Sequence, residues 1–423
     1  MSTLNSLLGI IVLLAIAFVL SNNKKAINYR TVFGALGLQI GLGALVLYVP
    51  IGRQALQALA DGVNNVIGYG FEGIKFVFGG LASDKIFEVM GGDGFIFAVR
   101  VLPSIVFFSA LISLLYYIGV MQVLIKIIGG ALQKLLGTSK AESMSAAANI
   151  FVGQTEAPLI VKPYIGKMTQ SELFAVMSGG LASIAGSVMA GYAGMGVPLT
   201  YLIAASFMAA PAGLLFAKIL LPQTEQFNDD MTKVELEQPA NILDAAAAGA
   251  GSGMQLALNV GAMLIAFVAL IALLNGMLGG ISAWGAWFGM PELSLGMVFG
   301  WVFRPLAWVI GVPWEEAHIA GQMIGTKLAI NEFVGYLEFS KYLSPESAIQ
   351  LTDKTKAIIT FALCGFANFS SIAILIGGLG GMAPNRRGDI AKLGIKAVIA
   401  GSLANLMSAT IAGLFIGLGG SVL

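Results

Sequence analysis

The sequence predicts an all-α polytopic membrane protein: eight transmembrane helices plus two re-entrant helical hairpins in inverted repeats, with interfacial helices. Three observations carry this. Of the 423 residues, 57% are hydrophobic and 11% are charged, where a soluble globular domain carries roughly 25% charged residues. Apolar runs long enough to span a bilayer, which takes about 20 residues, recur at 4–20, 33–50, 95–119, 173–195, 199–221, 254–278, 357–381 and 394–418. Two glutamates, Glu156 in ANIFVGQTEAPLIV and Glu332 in GTKLAINEFVGYL, sit among apolar residues in matched contexts. A charge at bilayer depth costs roughly 2.5–3.5 kcal/mol on insertion scales, so it is rarely kept without a task.

Each element follows from its local sequence. The first run, LLGIIVLLAIAFVL, has no basic residue before it and no small-x-small cleavage site after it; Lys24, Lys25 and Arg30 come afterwards. It reads as a retained helix whose C-terminal end faces the cytoplasm. Residues 51–90 mix apolar positions with Asp61, Glu72, Lys75, Asp84, Lys85 and Glu88, the composition of an interfacial amphipathic helix. Residues 223–240 form a polar loop, and 293–312 are apolar but interrupted by Arg304-Pro305, again an interfacial helix.

The glutamate segments, 141–167 and 315–345, are broken by Gly, Pro and charge. Pro158 removes a backbone donor and disfavours helix in the residue before it. A helix broken at depth is tolerated where protein or a wet cavity satisfies the freed groups, so both segments are expected to be re-entrant hairpins. The positive-inside rule places Lys126, Lys134, Lys140, Lys233, Arg386, Arg387 and Lys392 inside and both termini outside. The first hairpin then opens from the cytoplasm and the second from outside. Arg304, Lys327, Lys341, Lys354 and Lys356 fall outside, in a stretch too long for the rule to bind strongly.

The expected organisation is one membrane domain. Residues 1–135 are mostly scaffold, 141–221 the first repeat, 222–314 a cytoplasmic loop with scaffold and interfacial helices, and 315–423 the second repeat.

Hairpin with glutamate, connector, then apolar helix with Gly-x-Ala-polar occurs twice: Gly180-Leu181-Ala182-Ser183 follows the first glutamate and Gly365-Phe366-Ala367-Asn368 the second. Inverted repeats whose broken helices meet at the midplane are characteristic of secondary transporters. The polar residues at this depth are Asn149, Gln154, Thr155, Glu156 and Ser183 in one half, and Asn331, Glu332, Asn368, Ser370 and Ser371 in the other. Amides, hydroxyls and carboxylates supply donors and acceptors together, and Phe366 and Phe369 offer rings for stacking. That combination suits a ring with polar substituents, a sugar or a nucleoside, better than a phosphate. Asn149 and Ser183 with unwound carbonyls near Val152 and Ile184 could ligate a hard cation such as sodium; spacing alone leaves open whether they are instead helix–helix hydrogen-bond contacts.

Other classes are disfavoured. A formal net charge of +1 gives no argument for nucleic acid. A single Cys364 and a single His318 exclude a disulfide framework and a His/Cys metal cluster; the first reads as packing, the second as a surface or interface residue. No Gly-rich stretch matches a phosphate loop or a dinucleotide fingerprint, so no organic cofactor is expected. An enzyme would need a nucleophile–base pair that this chain does not offer.

The stretches ESMSAAANIFVGQTEAPLIVKPYIGKMTQSELFAVMSGGLASIAGSV and KTKAIITFALCGFANFSSIAILIGGLGGMAPNRRGDIAKLGIKAVIAGSLANL closely resemble the concentrative nucleoside transporter family, and the resemblance covers nearly the whole chain. It looks like the shorter bacterial form. GQTEAP and CGFANFSS are specific motifs of that family. The resemblance implies a sodium-coupled importer of uridine-like nucleosides in the bacterial inner membrane, a homotrimer among lipid, working by an elevator-type step. It implies that Gln154, Thr155 and Glu156 read the base, that Phe366 lies against it, and that Val188 and Leu256 add apolar contacts. It also implies that Glu332, Asn368 and Ser371 read the ribose. The sodium site maps to the side chains of Asn149 and Ser183 with the carbonyls of Val152 and Ile184. Coupling to protons, as in some bacterial relatives, is the alternative, with a channel for small polar solutes behind it.

Overall fold

The computed structural model describes residues 2–83, 85–90, 95–227, 239–285, 293–344 and 346–419. Among these residues the regular structure is helical throughout. Helix α1 spans Ser2–Val19, α2 Tyr29–Leu47 and α3 Pro50–Phe78. Asn28 opens α2: its side-chain oxygen accepts from the backbone N–H groups of Arg30 and Thr31, satisfying two of the donors a helix start leaves free. Pro50 starts α3 at a position where a missing N–H costs nothing. Short helices α4 (Lys85–Val89) and α5 (Phe97–Arg100) lead into α6 (Leu102–Tyr117) and α7 (Val120–Leu136). Gly119 and Gly137, at φ +86° and +67°, bound α7 at its two ends, a backbone region that favours glycine.

The first glutamate segment begins with α8 (Lys140–Ala148), passes through irregular chain and a 3-10 turn at Ala157–Val161, and ends in α9 (Lys162–Ile165). Helix α10 (Gln170–Ala182) and α11 (Gly186–Gly194) follow, then α12 (Leu199–Leu220). A single helix, α13, runs Ile242–Gly285, and α14 covers Leu295–Val309. The second glutamate segment is α15 (Ala317–Ala329) and α16 (Glu332–Ser340), joined at Ile330 and Asn331. Helices α17 (Asp353–Leu363), α18 (Ser370–Met382) and α19 (Arg387–Gly417) complete the chain. Hairpin, broken helix, long helix: the order α8–α12 is repeated in α15–α19.

Each apolar run falls on helix, with differences. The runs expected as spans at 173–195 and 357–381 are each two helices, interrupted at Ser183–Ala185, where unwound backbone is expected near Ile184, and at Cys364–Phe369. The run expected at 254–278 is the middle of a 44-residue helix. Residues 50–78 form one continuous helix whose Asp61, Glu72 and Lys75 are all exposed.

Burial separates centre from periphery. In the spanning windows of α10–α11 and α12, 94% of residues are buried, whereas the window within α13 is 17% buried although it is the more apolar. A helix apolar on all sides belongs inside a protein or in lipid; α10 and α12 take the first course, and most of α13 is left uncovered by the rest of the chain.

Capping boxes fix where the inner helices begin. Ser139 and Glu142 cap α8 reciprocally, and Thr169 and Glu172 cap α10 in the same way. Lys218, from the end of α12, reaches Glu142 Oε2 at 2.6 Å and Ser171 Oγ at 3.0 Å. All three residues are buried, so this ion pair joins three helices at the base of the first hairpin.

Candidate functional site

Both breaks are held by backbone contacts across the repeats. The Phe366 N–H donates to the Ser183 carbonyl at 3.1 Å, so the two interruptions touch. The Gly186 N–H donates to the Phe151 carbonyl at 3.0 Å, tying the tip of the first hairpin to the start of α11. This approach requires glycine: a Cβ at 186 would stand 2.7 Å from that carbonyl oxygen. The Phe369 N–H donates to the Leu328 carbonyl at 3.2 Å, tying the second break to α15.

A cavity of about 560 Å³ lies where these segments meet. Its walls include Gln154, Thr155, Glu156, Val188, Leu256, Glu332, Phe366, Asn368 and Ser371. The nine side chains expected to hold a nucleoside, scattered over more than 200 positions, thus surround one space. That volume lies within the range of small-molecule sites, which are mostly apolar with a few placed polar groups.

The polar walls are organised. In the second half, Glu332 is 3% exposed. Its Oε1 accepts from the Tyr192 hydroxyl at 3.1 Å and its Oε2 from the Asn368 side-chain amide at 3.2 Å. Asn331 caps α16 through Val334 N–H at 2.9 Å, placing Glu332 in the first turn, where the helix dipole favours an anion. The Asn368 oxygen accepts from the Ser371 N–H at 2.9 Å and the Ser370 hydroxyl at 2.7 Å. In the first half, Glu156 is half-buried and its Oε2 accepts from the Gly153 N–H at 2.7 Å. Gln154 donates to the Ser371 hydroxyl at 3.3 Å, joining the halves, while its Oε1 is buried with no protein partner.

The four residues expected to bind sodium lie behind this cavity rather than in its wall. Asn149, Val152, Ser183 and Ile184 are all buried. Asn149 is 1% exposed, and neither its amide nitrogen nor its carbonyl oxygen has a protein partner. An unpaired buried amide costs about 1–3 kcal/mol, so a ligand that bonds it has a ready source of binding energy. The Ser183 hydroxyl donates to the Gly180 carbonyl at 3.3 Å, leaving its lone pairs for another partner.

Sequence reasoning missed several residues around the cavity. Gln255 and Asn259 line it from α13 and bond to each other at 3.1 Å; two amides at i and i+4 in an otherwise apolar helix are the signal that could have found them. Tyr192 has no such signal, because an aromatic in a glycine-rich helix reads as packing. Lys327, given no role by the sequence reading, is 2% exposed within α15.

Sequence profiles described as Na+ dependent nucleoside transporter N-terminus, Nucleoside recognition, and Na+ dependent nucleoside transporter C-terminus match residues 8–81, 98–199 and 201–413. The chain is 57% identical over 417 residues to Nucleoside permease NupC of Helicobacter pylori, covering 99% of both chains. It is 72% identical to an uncharacterized transporter of Haemophilus influenzae over the full length of both. With Sodium/nucleoside cotransporter 1 of Mus musculus it shares 40% identity over 97% of this chain and 63% of that longer one. Among solved structures, CNTnw in an inward-facing substrate-bound state superposes with a TM-score of 0.96 at 66% identity, covering 100% of both chains.

Proposed function

The chain belongs to the concentrative nucleoside transporter family, and from that premise we propose that it imports nucleosides together with sodium by alternating access. The observation that carries this reading is the cavity in which eight residues from the two repeats and Leu256 of α13 converge, with the unpaired Asn149 amide beside it.

In this reading the base lies against Phe366 and Val188 with Leu256 opposite, its edge toward Gln154, Thr155 and Glu156. The ribose hydroxyls meet Glu332, Asn368 and Ser371. A carboxylate accepts only, so Glu332 takes hydroxyl protons. Gln255 and Asn259, on the largely exposed α13, add donors and acceptors on the far side. Sodium, as co-substrate, is bound by the oxygens of Asn149 and Ser183 and by the carbonyls of Val152 and Ile184, which stiffens the first hairpin tip beside the base.

The protein would sit in the bacterial inner membrane with both termini outside and the two hairpins entering from opposite faces. The hairpins and broken helices move together as the transport unit past a trimeric scaffold that includes α13 and α3. The tight packing of α10, α12 and α19 supports movement as one body.

Uptake into proteoliposomes tests the coupling. Labelled uridine should accumulate under an inward sodium gradient and stop when that gradient is removed. Accumulation driven by a proton gradient alone would overturn sodium as the coupling ion, and unsaturable flux without either gradient would mark a channel.

A further inference from the structure

The second repeat contains a buried cation that the transport reading does not use. Lys327 lies on α15, five positions before Glu332. Its ammonium donates to the Asn405 side-chain oxygen at 2.6 Å and to the Ala362 carbonyl at 2.8 Å. The Asn405 amide nitrogen, on α19, then donates to the Ala182 carbonyl at 2.6 Å and the Cys364 carbonyl at 2.8 Å. The Ala182 carbonyl ends α10 immediately before the first break, and the Cys364 carbonyl, one residue past α17, opens the second. One amide thus holds both broken helices where their hydrogen-bond ladders stop and leave carbonyls unpaired.

The orientation of that amide is fixed from both sides. An ammonium can only donate and a backbone carbonyl can only accept, so Lys327 holds the Asn405 oxygen while the Ala182 and Cys364 carbonyls hold its nitrogen. The fit is close: a Cβ on Gly365 would lie 2.3 Å from the Asn405 oxygen. The next residues along each chain are Ser183 on one side and the segment Gly365–Asn368 on the other, and these are themselves joined by the Phe366–Ser183 bond.

We propose that Asn405, oriented by Lys327, is the positioning residue that couples the cation side of the site to the nucleoside side. Sodium would set the backbone at Ser183 and Ile184. The Asn405 bridge transmits that setting to Cys364 and so to Phe366 and Asn368. This rests on the sodium-coupled reading above. Coupling between two ligands is one free energy seen from either side, so a bridge between their binding segments should alter the coupling more than either affinity alone.

The test measures uridine Kd with and without sodium in the purified full-length protein, and sodium half-saturation with and without uridine. In the wild-type chain, sodium should tighten uridine by a factor in the usual allosteric range of about 5–150. Asn405→Asp keeps the size and the oxygen facing Lys327 but has no N–H for Ala182 and Cys364. It should bring that factor close to 1 in both directions while uridine Kd without sodium changes by less than about threefold. Lys327→Met, which removes the anchor of the Asn405 oxygen, should lower the factor too, and stands in if the aspartate variant fails to fold. If both affinities weaken equally and the factor is retained, the bridge is only structural and the proposal is wrong. A wild-type factor of 1 would instead remove the sodium-coupled reading, and the bridge's role with it.

Discussion

At the tip of the first hairpin, both polar atoms of Asn149 and the Gln154 oxygen are buried without a protein partner. At the corresponding place in the second repeat, Glu332 is bonded by Tyr192 and Asn368, and Lys327 by Ala362 and Asn405. The two halves share an order of elements and differ in how their polar groups are completed. The second half carries its own cation, covalently attached; the first holds oxygens of the kind a small cation would take. The duplicated architecture thus completes its polar groups internally in one half and leaves them open in the other.

An open tip must stand on a rigid base. Lys218→Met would leave Glu142 as a buried, unpaired charge, and breaking such a pair costs about 3–5 kcal/mol. The largest expected effect is thus a steep fall in the thermal midpoint. If the midpoint hardly moves, the first hairpin is not anchored there. Glu332→Gln comes next: where two donors converge on a carboxylate, an amide offers one acceptor. Hydrogen bonds to charged groups contribute about 1.5–3 kcal/mol each, so with one acceptor lost uridine affinity should fall by roughly 10–150-fold. Calorimetry would show sodium affinity without uridine unchanged if the halves are as distinct as described.

Gly186→Ala tests how the first tip is held. With its new methyl 2.7 Å from the Phe151 oxygen, the hairpin must shift, and overpacking of this kind costs about 1–3 kcal/mol. Sodium and uridine binding should both weaken; loss of stability with both affinities intact would detach the tip from the site. The smallest effects are expected at the caps. Ser139→Ala on α8 and Thr352→Ala on α17 should each lower stability by about 1 kcal/mol in urea titrations, with uptake per folded molecule unchanged.

Much of this was legible in the chain. The helical runs, the glutamate hairpins and the repeat came from hydropathy and from Pro158. Seven of the nine cavity residues came from the polar and aromatic positions at depth; Val188, Leu256 and the role of each came from the resemblance. Other features depend on three-dimensional placement. Nothing near Lys327 marked it as a buried anchor, because its partners, Asn405 and the Ala362 carbonyl, lie 78 and 35 residues away in sequence. Tyr192 contributes a hydroxyl that only the fold aims at Glu332. The breaks at Ser183–Ala185 and Cys364–Phe369 lie within apolar runs that hydropathy reads as continuous, because it counts side chains and the interruption is in the backbone.

The central claim is that the Asn149 side of the first repeat binds the ion that tightens the nucleoside site. Uridine affinity measured across a sodium series, in the wild-type protein and in Asn149→Leu, tests it most directly. The account predicts a wild-type affinity that rises with sodium and saturates, and an Asn149→Leu affinity that stays flat at the sodium-free value. An Asn149→Leu protein whose uridine affinity still follows sodium as the wild type does would contradict it.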